Sequence, residues 1–369
     1  MSKSVRFGVI GAGMIANNIH LPSLKSHPQA TLTAICSRTL EHAAQAAKRF
    51  EIPHVFTDYR QMLETAELDA VVIATPDDLH YPMAMDALDA GLHVLCEKPL
   101  ALNAAQALEM VTAAEAAGVV HMVFFAYRWR PSYCYLKELV DEGYIGRPYH
   151  CHLHFLGGYG RHPYYGWRFD RQHGTGILGD LGSHMIDLAR WTIGDIARVS
   201  AQISTFVERP GSEGEDLDPA NDAAMLLLEF ENGAQGSIQV SAVAHTADRV
   251  QEQRMVLHGE SGTLELDYSF LGSDFANGVV RTPCELRGAR ARDGQFQSIR
   301  VPDRLWENAD RENAFSVFQT QPAGPRAFVD AILAGQTGSP NFHDGYRAQQ
   351  VIDAAFQSHR EGTWVSIPA

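Results

Sequence analysis

The chain has 369 residues, of which 45% are apolar and 20% charged, and its 30 basic and 44 acidic side chains give a formal net charge of −14. This acidic balance argues against nucleic acid or an anionic membrane surface as a partner, because both bind to positively charged surfaces. The length exceeds what one small core can organise and predicts two domains of roughly 100–200 residues each.

The cysteines and apolar runs favour a cytoplasmic protein. Five cysteines are present, they are widely spaced, and no pair forms Cys-x-x-Cys. Such usage fits reduced thiols better than a disulfide framework. The N-terminal residues lead into a strand without the apolar segment of a secretion signal. No apolar run reaches the roughly 20 residues of a membrane span.

Residues 1–126 alternate predicted strands with helices, which predicts an α/β Rossmann domain with a doubly wound parallel sheet. Gly91 and Gly118 stand where helix C-caps are expected. The predicted strands are Val5–Ile10, Thr31–Cys36, His54–Phe56, Ala70–Ala74, His93–Cys96 and Val119–Phe125, and the predicted helices are Leu40–Phe50, Leu79–Gly91 and Ala104–Ala117.

Residues 127–369 are richer in strands and predict an α+β domain with a mostly antiparallel sheet, whose C-terminal helices pack back on the first domain. Asn232-Gly233 is a hairpin turn signal. The polar stretch Gly272–Asp310 yields no prediction. The predicted strands are Tyr149–Leu156, Val199–Val207, Ala223–Glu231, Ala234–Val243, Arg254–His258 and Thr263–Tyr268, and the predicted helices are Ser132–Glu142, Leu178–Trp191, Gly324–Ala334 and Tyr346–Arg360.

A glycine-rich turn follows the first strand and opens a helix, which is the context expected of a dinucleotide-binding turn. Gly11 allows the tight turn, Gly13 lets a pyrophosphate approach the backbone, and the small Ala16 lets helix and strand pack closely. The helix N-terminus then offers N–H groups to the phosphates, with Met14 and Ile15 beside them. The alternative is a glycine turn in an α/β protein without a cofactor.

The end of the second strand favours NADP over NAD as the cofactor. An NAD enzyme often has an acidic residue there, whereas this chain reads Cys36-Ser37-Arg38-Thr39. Arg38 could pair with the 2′-phosphate of NADP and Ser37 could donate to it. Alternatively, Arg38 is a solvated residue at the start of a helix.

Three polar segments carry the predicted chemistry. Thr75-Pro76-Asp77-Asp78-Leu79-His80 follows the fourth strand and Glu97-Lys98-Pro99 follows the fifth, so both lie at the edge of the sheet where ligands bind. On the predicted helix Leu178–Trp191, Asp180, His184 and Asp187 fall at i, i+4 and i+7, which predicts one shared face.

This set of segments resembles the glucose–fructose oxidoreductase, inositol dehydrogenase and rhizopine-catabolism (Gfo/Idh/MocA) family. The resemblance spans nearly the whole chain, and its Glu-Lys-Pro and Asp-x-x-x-His elements are more specific than the glycine turn. Asp77 departs from the family, which often has Asn there. The matching segments are Gly11–Ala16, Thr75–His80, Ala90–Leu100, Leu178–Trp191, Asp344–Ala348 and Glu361–Val365.

The resemblance implies a role for several residues. Lys98 would bind and polarise the reacting hydroxyl or carbonyl oxygen, His184 would be the general acid/base, and Asp180 would orient it or touch a second hydroxyl. Ser37-Arg38 and Trp167-Arg168 look like cofactor-contacting pairs of NADP-using relatives. The predicted cofactor contacts are Gly11, Gly13, Met14, Ile15, Ser37, Arg38, Thr75, Pro76, His80, Glu97, Lys98, Trp167 and Arg168.

Elementary chemistry agrees with these roles. Oxidation of a secondary alcohol removes a proton from oxygen and a hydride from the same carbon. A lysine cation stabilises the developing alkoxide, and a histidine can exchange the proton near neutral pH. Alternatively, Lys98 could be a surface partner of Glu97, and His184 a buried histidine of the core.

Two further residues are predicted to bind substrate beside Lys98, Asp180 and His184. Arg128 lies where the second domain begins, and an interdomain salt bridge is an equal alternative. Tyr159 belongs to the stretch Gly157–Gly176, whose aromatic faces and polar tips suit sugar rings, although such a loop could simply pack on the sheet.

No metal site is predicted. His150, His152 and His154 share one face of a strand, but no acidic or thiol ligand accompanies them there. Asp180, His184 and Asp187 could also form a metal-binding face, but the adjacent Lys98 favours acid/base chemistry.

The chain is therefore predicted to be an NAD(P)-dependent oxidoreductase acting on a secondary hydroxyl or ketone of a sugar, cyclic polyol or sugar derivative. The family resemblance also implies an open-faced sheet that forms homodimers or homotetramers. One alternative is a redox-neutral glycosidase, in which bound cofactor oxidises the sugar transiently and reduces it again. A second is a non-catalytic sensor, which the presence of Lys98 and His184 disfavours.

Overall fold

The computed structural model describes residues 4–212, 214, 217–274, 279–313 and 315–368. The chain divides into two compact units. The first contains residues 1–126, 307–310 and 315–346, and the second contains residues 127–306, 311–314 and 347–369. Each unit has its own buried core and its own sheet.

The first unit contains a parallel sheet of six described strands, in the order β3-β2-β1-β4-β5-β6. This is the predicted doubly wound arrangement, and its order reverses between β1 and β4, where such sheets bind ligands. The strands are β1 (Val5–Ile10), β2 (Ala30–Cys36), β3 (His54–Phe56), β4 (Ala70–Ile73), β5 (His93–Cys96) and β6 (His121–Val123).

Helices connect these strands and cover the sheet. In α2 (Leu40–Phe50), the buried residues fall at the spacing of one helix face, and they are Ala43, Ala46, Ala47 and Phe50. Gly91 and Gly118 both have positive φ at the ends of helices, as predicted. The helices are α1 (Leu21–Lys25), α2 (Leu40–Phe50), α3 (Tyr59–Thr65), α4 (His80–Asp89) and α5 (Ala104–Ala117), together with α8 (Ser316–Thr320) and α9 (Pro325–Ala334) of the same unit.

The predicted strand Val119–Phe125 is longer than the one observed. Only His121–Val123 lies in the sheet. The Phe125 N–H already bonds the carbonyl of Val123, and a 3-10 turn follows from Ala126 to Trp129. Phe124 still donates its backbone N–H to the carbonyl of Cys96 at the end of β5, at 2.8 Å. Phe124 and Phe125 are both buried, so their apolar character reflects packing in the core.

The second unit contains a sheet of ten described strands, which is antiparallel except where β7 and β10 pair in parallel. Along the sheet the order is β15-β14-β12-β11-β7-β10-β9-β8-β16, and β13 pairs with β12. The strands are β7 (Pro148–Gly157), β8 (Ile196–Ser204), β9 (Ala223–Phe230), β10 (Gln235–Ser241), β11 (Arg249–Gly259), β12 (Gly262–Asp274), β13 (Val279–Arg281), β14 (Cys284–Arg290), β15 (Gln297–Ser298) and β16 (Val365–Ser366).

One face of this sheet is packed and the other is open. In β7 the buried Cys151, Leu153 and Phe155 alternate with the exposed His150 and His152. Helices α6 (Pro131–Asp141) and α7 (Ser183–Ile193) pack on the sheet, and α10 (Phe342–Glu361) completes the set of helices. The hairpin predicted at Asn232-Gly233 joins β9 to β10.

The helix predicted at Leu178–Trp191 is not a single α-helix. Residues Leu178–Gly182 form a π-helical turn, and the α-helix begins only at Ser183. The wider turn alters the i, i+4 spacing on which the predicted shared face of Asp180, His184 and Asp187 depends. The carboxylates of Asp180 and Asp187 indeed have different partners.

None of the five cysteines, all of which lie in the described ranges, forms a disulfide. Within those ranges the longest and most apolar helices still fall short of what a membrane crossing requires.

Candidate active site

The glycine turn has the geometry that a dinucleotide needs. Gly11 has φ +107°, and a Cβ there would lie 2.2 Å from the carbonyl oxygen of Ala74 at the end of β4. A Cβ on Gly13, by contrast, would meet nothing within 4 Å, so its backbone is open to an approaching group. Ala16 is fully buried, as close packing of helix and strand requires.

The helix that follows this turn runs from residue 14 to residue 25 and is π-helical from Ala16 to His20. Met14 at its start is exposed. The first N–H groups of a helix have no partner within it and suit phosphate oxygens. These residues therefore fit the pyrophosphate of a dinucleotide.

Ser37 and Arg38 follow β2 at the same edge of the sheet as the glycine turn, because parallel strands end at one edge. Arg38 is exposed, and Ser37 is half-buried. Residues 37–39 contain no carboxylate that could bind ribose hydroxyls. The strand end thus presents a cation and a hydroxyl, as predicted.

Lys98 follows β5, at the edge that also holds the turn Thr75-Pro76 after β4. Its side chain is half-buried, and its neighbours Glu97 and Pro99 are buried. Glu97 Oε2 accepts the backbone N–H of Lys98 at 3.3 Å. The structure thus brings the predicted residues of the first unit to one edge of its sheet.

His80 is predicted to contact the cofactor, but in the structure its ring lies between two backbone carbonyl groups. The side chain is fully buried, with Nδ1 2.8 Å from the carbonyl oxygen of Pro99 and Nε2 3.0 Å from that of Thr75. Burial lowers the pKa of His80, which favours the neutral ring. Both ring nitrogens face the protein backbone, so His80 connects the two turns.

His20 is a residue of this region that the sequence analysis misses. Its ring is fully buried, and Nε2–H donates to Glu97 Oε1 at 2.8 Å. The ring also packs edge-on against Phe124, with 4.9 Å between centroids. The only signal in the sequence is a histidine among apolar residues, nine positions after Gly11.

In the second unit, Asp180 is the centre of a polar group. Its Oδ2 accepts the hydroxyl of Tyr159 at 2.8 Å and lies 3.2 Å from Nε of Arg168. The Arg168 guanidinium also stacks over the ring of Trp167, 4.2 Å from its centroid. Partial desolvation of the hydroxyl and the nearby Asp180 raise the pKa of Tyr159 well above its usual value, so this hydroxyl remains a donor to Asp180. Four residues predicted from the sequence thus form one cluster.

His184 lies in the first turn of α7 and is only 8% exposed. Its ring meets that of Tyr127 edge-on, with 4.8 Å between centroids and 81° between planes. Burial raises the pKa of Tyr127, which therefore stays neutral beside the imidazole. The aromatic wall fixes the plane of the His184 ring, which a general acid/base requires.

Arg128 is predicted to bind substrate, but its guanidinium forms a buried ion pair instead. Nε and Nη2 donate to the two oxygens of Asp187 at 2.8 and 2.5 Å, and both side chains are almost fully buried. The guanidinium also lies over the Trp191 ring. We therefore assign Arg128 to holding α7, the helix that carries His184.

A second buried ion pair supports the stretch Gly157–Gly176, and the sequence analysis misses it as well. Arg209 and Asp222 are 3.3 Å apart with side chains no more than 2% exposed. Arg209 also donates to the carbonyl of Gly160 and lies over Phe169, 3.9 Å from its centroid. Both contacts belong to the segment that carries Tyr159 and Arg168.

The histidines considered as metal ligands lie on the open face of the second sheet. His152 Nδ1 is 2.9 Å from the hydroxyl of Ser237, and Nε2 of His154 is 3.9 Å from Glu252. Across the described part of the chain, no group of three or more His, Cys, Asp or Glu side chains is arranged to hold a metal ion.

Comparison with known protein families agrees with the fold of both units. Residues 5–125 match a family described as "Oxidoreductase family, NAD-binding Rossmann fold". Residues 133–265 match the GFO/IDH/MocA C-terminal domain. Together these matches cover more than half of the chain.

Individual relatives are similar over most of their length. Levoglucosan dehydrogenase of Pseudarthrobacter phenanthrenivorans is 31% identical over 89% of this chain and 87% of that protein. D-apiose dehydrogenase of Paraburkholderia graminis is 27% identical over 99% and 90%, respectively. A structure of levoglucosan dehydrogenase with NADH and levoglucosan superimposes with a TM-score of 0.86, at 29% identity and 100% coverage of both chains.

Proposed function

The chain belongs to the Gfo/Idh/MocA family of oxidoreductases, and from this premise we propose that it is a dehydrogenase or reductase of sugars or cyclic polyols that uses NAD(P). The observation that carries the proposal is the arrangement of the first unit, where an open glycine turn and Lys98 share one edge of a parallel sheet. Named relatives act on sugars, which favours a dehydrogenase over a redox-neutral glycosidase.

Each residue has a defined task in this proposal. When bound, the nicotinamide takes up or supplies the hydride at the reacting carbon. Lys98 binds the oxygen on that carbon and stabilises the negative charge that develops there. His184 takes the hydroxyl proton in oxidation and returns it in reduction.

The Asp180 cluster suits the recognition of a sugar. Asp180 accepts a substrate hydroxyl and orients the ring, while Tyr159, Trp167 and Arg168 supply an aromatic face and polar donors. The pairing of Arg168 with Asp180 holds the carboxylate in place. Trp167 and Arg168 also remain proposed cofactor contacts.

Absorbance near 340 nm tests the activity directly. Purified protein is incubated with NAD or NADP and a panel of anhydrosugars, aldoses, inositols and glycosides. We expect steady accumulation of reduced cofactor with at least one compound. A change limited to one equivalent of bound cofactor, accompanied by release of an aglycone, would show a redox-neutral glycosidase instead.

For the cofactor we propose a preference for NADP, on the exposed Arg38 and the absence of a carboxylate in residues 37–39. A solved structure of levoglucosan dehydrogenase contains NADH, so the preference between NAD and NADP has to be measured for this chain. Arg38→Asp is expected to weaken NADP binding at least tenfold more than NAD binding, about 1.4 kcal/mol or more, because a charge pair becomes a repulsion. Titration of cofactor fluorescence measures both affinities.

The control for this prediction is Arg49→Asp, which makes the same change in charge at the far end of α2. It is expected to leave both affinities within about twofold of those of the unchanged protein. An Arg38→Asp variant that binds NADP as well as the unchanged protein would remove Arg38 from the cofactor site.

We also propose a cytoplasmic homodimer or homotetramer formed through the open face of the second sheet. Met225 and Leu227 are 57% and 56% exposed in β9 and line a groove of about 550 Å³ together with His152 and His154. Apolar side chains exposed next to each other on a sheet are typical of an interface. A two-fold arrangement would place this face of one copy against the same face of a second copy.

Light scattering coupled to gel filtration tests the oligomer. Met225→Lys with Leu227→Lys is expected to shift the protein from the oligomer towards the monomer, because a charge cannot be buried there without a partner. Leu108→Lys changes another exposed apolar residue, on α5, and is expected to leave the mass unchanged. A monomeric unchanged protein would contradict the proposal.

A further inference from the structure

We propose that His20 and His80 are positioning residues that hold the Lys98 segment from both sides. Lys98 lies between Glu97 and Pro99, and each of these neighbours meets a different, fully buried histidine. The inference rests on the proposed function, because it assigns the two histidines to the placement of the lysine that acts on substrate.

His80 fixes the segment on the Pro99 side. The ring stands between the carbonyl oxygens of Pro99 and Thr75, at 2.8 and 3.0 Å. A neutral imidazole has one N–H and donates to one of these oxygens at a time, while the buried ring separates the two turns by a constant distance. The buried ring bonds one of the two turns and packs against the other, and so limits the relative movement of the turns after β4 and β5.

His20 fixes the segment on the Glu97 side. The ring comes from the helix after the glycine turn, and its Nε2–H bonds Glu97 Oε1 at 2.8 Å. The other oxygen of Glu97 accepts the backbone N–H of Lys98 at 3.3 Å. Through this carboxylate, the helix that follows the glycine turn is connected to the backbone of Lys98.

Restraint of the Lys98 backbone matters because the lysine side chain itself is flexible. An ammonium group on four methylenes has many conformations, and only a fixed backbone limits where it can reach. A displacement of about 1 Å at a reacting group can cost about 100-fold in rate. The contacts of His20 with Glu97 and of His80 with Pro99 reduce the conformational freedom of the Lys98 backbone, and neither contact involves the Lys98 amine.

A double-mutant cycle with Lys98→Met tests the inference. His20→Phe and His80→Phe are each expected to lower kcat by about 10- to 100-fold, with the cofactor affinity within about twofold. In the Lys98→Met background the same changes are expected to lower the residual kcat by less than about twofold. His20→Gln, which retains a donor near the position of Nε2, is expected to recover most of the loss.

A second readout does not depend on turnover. Acetylation by a limiting amount of acetic anhydride is followed by mass spectrometry at Lys98 and at the exposed Lys48, which serves as the internal reference. Both phenylalanine variants are expected to change the rate at Lys98 at least threefold, and leave that at Lys48 unchanged. General unfolding would change both rates together and would count against a local role.

The matched control is His121→Phe, since His121 is also buried in the first unit but bonds the backbone of Phe342. It is expected to leave the rate at Lys98 unchanged. The inference would be overturned if the losses in kcat from His20→Phe and His80→Phe were as large in the Lys98→Met background as in the unchanged protein. It would also be overturned if these variants left the rate of acetylation at Lys98 unchanged. Full activity of Lys98→Met itself would instead contradict the proposed function, and the acetylation rates would still decide the positioning role.

Discussion

Lys98→Met is expected to lower kcat by about 10²–10⁴-fold while the dissociation constant of the cofactor changes by less than about twofold. Methionine retains much of the length and apolar stem of lysine but removes the cation. The charge that develops on the substrate oxygen then has no positive group to stabilise it. Lys98 is half-buried and follows β5 within two residues, so its backbone position is set by the sheet and not by a loose loop.

Steady-state rates and fluorescence titration of the reduced cofactor separate the two effects. Lys48→Met removes an exposed lysine from α2 and serves as the control for loss of charge. Lys98→Arg retains the charge with a different shape and is expected to be intermediate. A variant that loses cofactor affinity and activity in equal measure would assign Lys98 to cofactor binding and not to the chemical step.

The architecture was accessible to sequence reasoning because it depends on local patterns. Strands of β-branched and apolar residues alternate with amphipathic helices such as α2, and that alternation determines a parallel sheet. The strict need for glycine at Gly11 was equally predictable, because β1 and β4 approach each other at the switch point of the sheet. The family motifs then predicted roles for Lys98, Asp180 and His184.

The residues that support the site could not be predicted from the sequence, because their partners are distant along the chain. His20 bonds Glu97 77 positions away, and Arg128 bonds Asp187 59 positions away. Neither pair has a local signature, since a histidine in a helix or an arginine in a turn is usually solvated. Only packing in three dimensions shows that these polar groups are buried and therefore have to be paired.

The π-helical turn at Leu178–Gly182 illustrates the same limit. A pattern with helical period predicts an α-helix, and one turn with wider hydrogen bonding does not disturb that pattern enough to be recognised. Asp180 lies within this turn, whereas Asp187 lies in the α-helix that follows it. The carboxylate at Asp180 meets Tyr159 and Arg168, whereas Asp187 is committed to Arg128.

The buried ion pair between Arg128 and Asp187 predicts the largest effect of a substitution on stability. Asp187→Leu is expected to lower the free energy of unfolding by about 3–5 kcal/mol, because it leaves the Arg128 guanidinium buried without its carboxylate. Urea unfolding monitored by fluorescence measures the change, with Trp191 lying next to the guanidinium as one reporter. Activity is expected to fall as well, since α7 carries His184.

The double variant Arg128→Met with Asp187→Leu identifies the cause. Replacing both charges by apolar side chains of similar volume removes the unpaired ion, so most of the lost stability is expected to return. If the ion pair also orients His184, kcat will stay low in this stable protein, because the bidentate bonds that hold α7 at Asp187 are gone. A double variant as unstable as Asp187→Leu alone would show that packing, and not the unpaired charge, determines the loss.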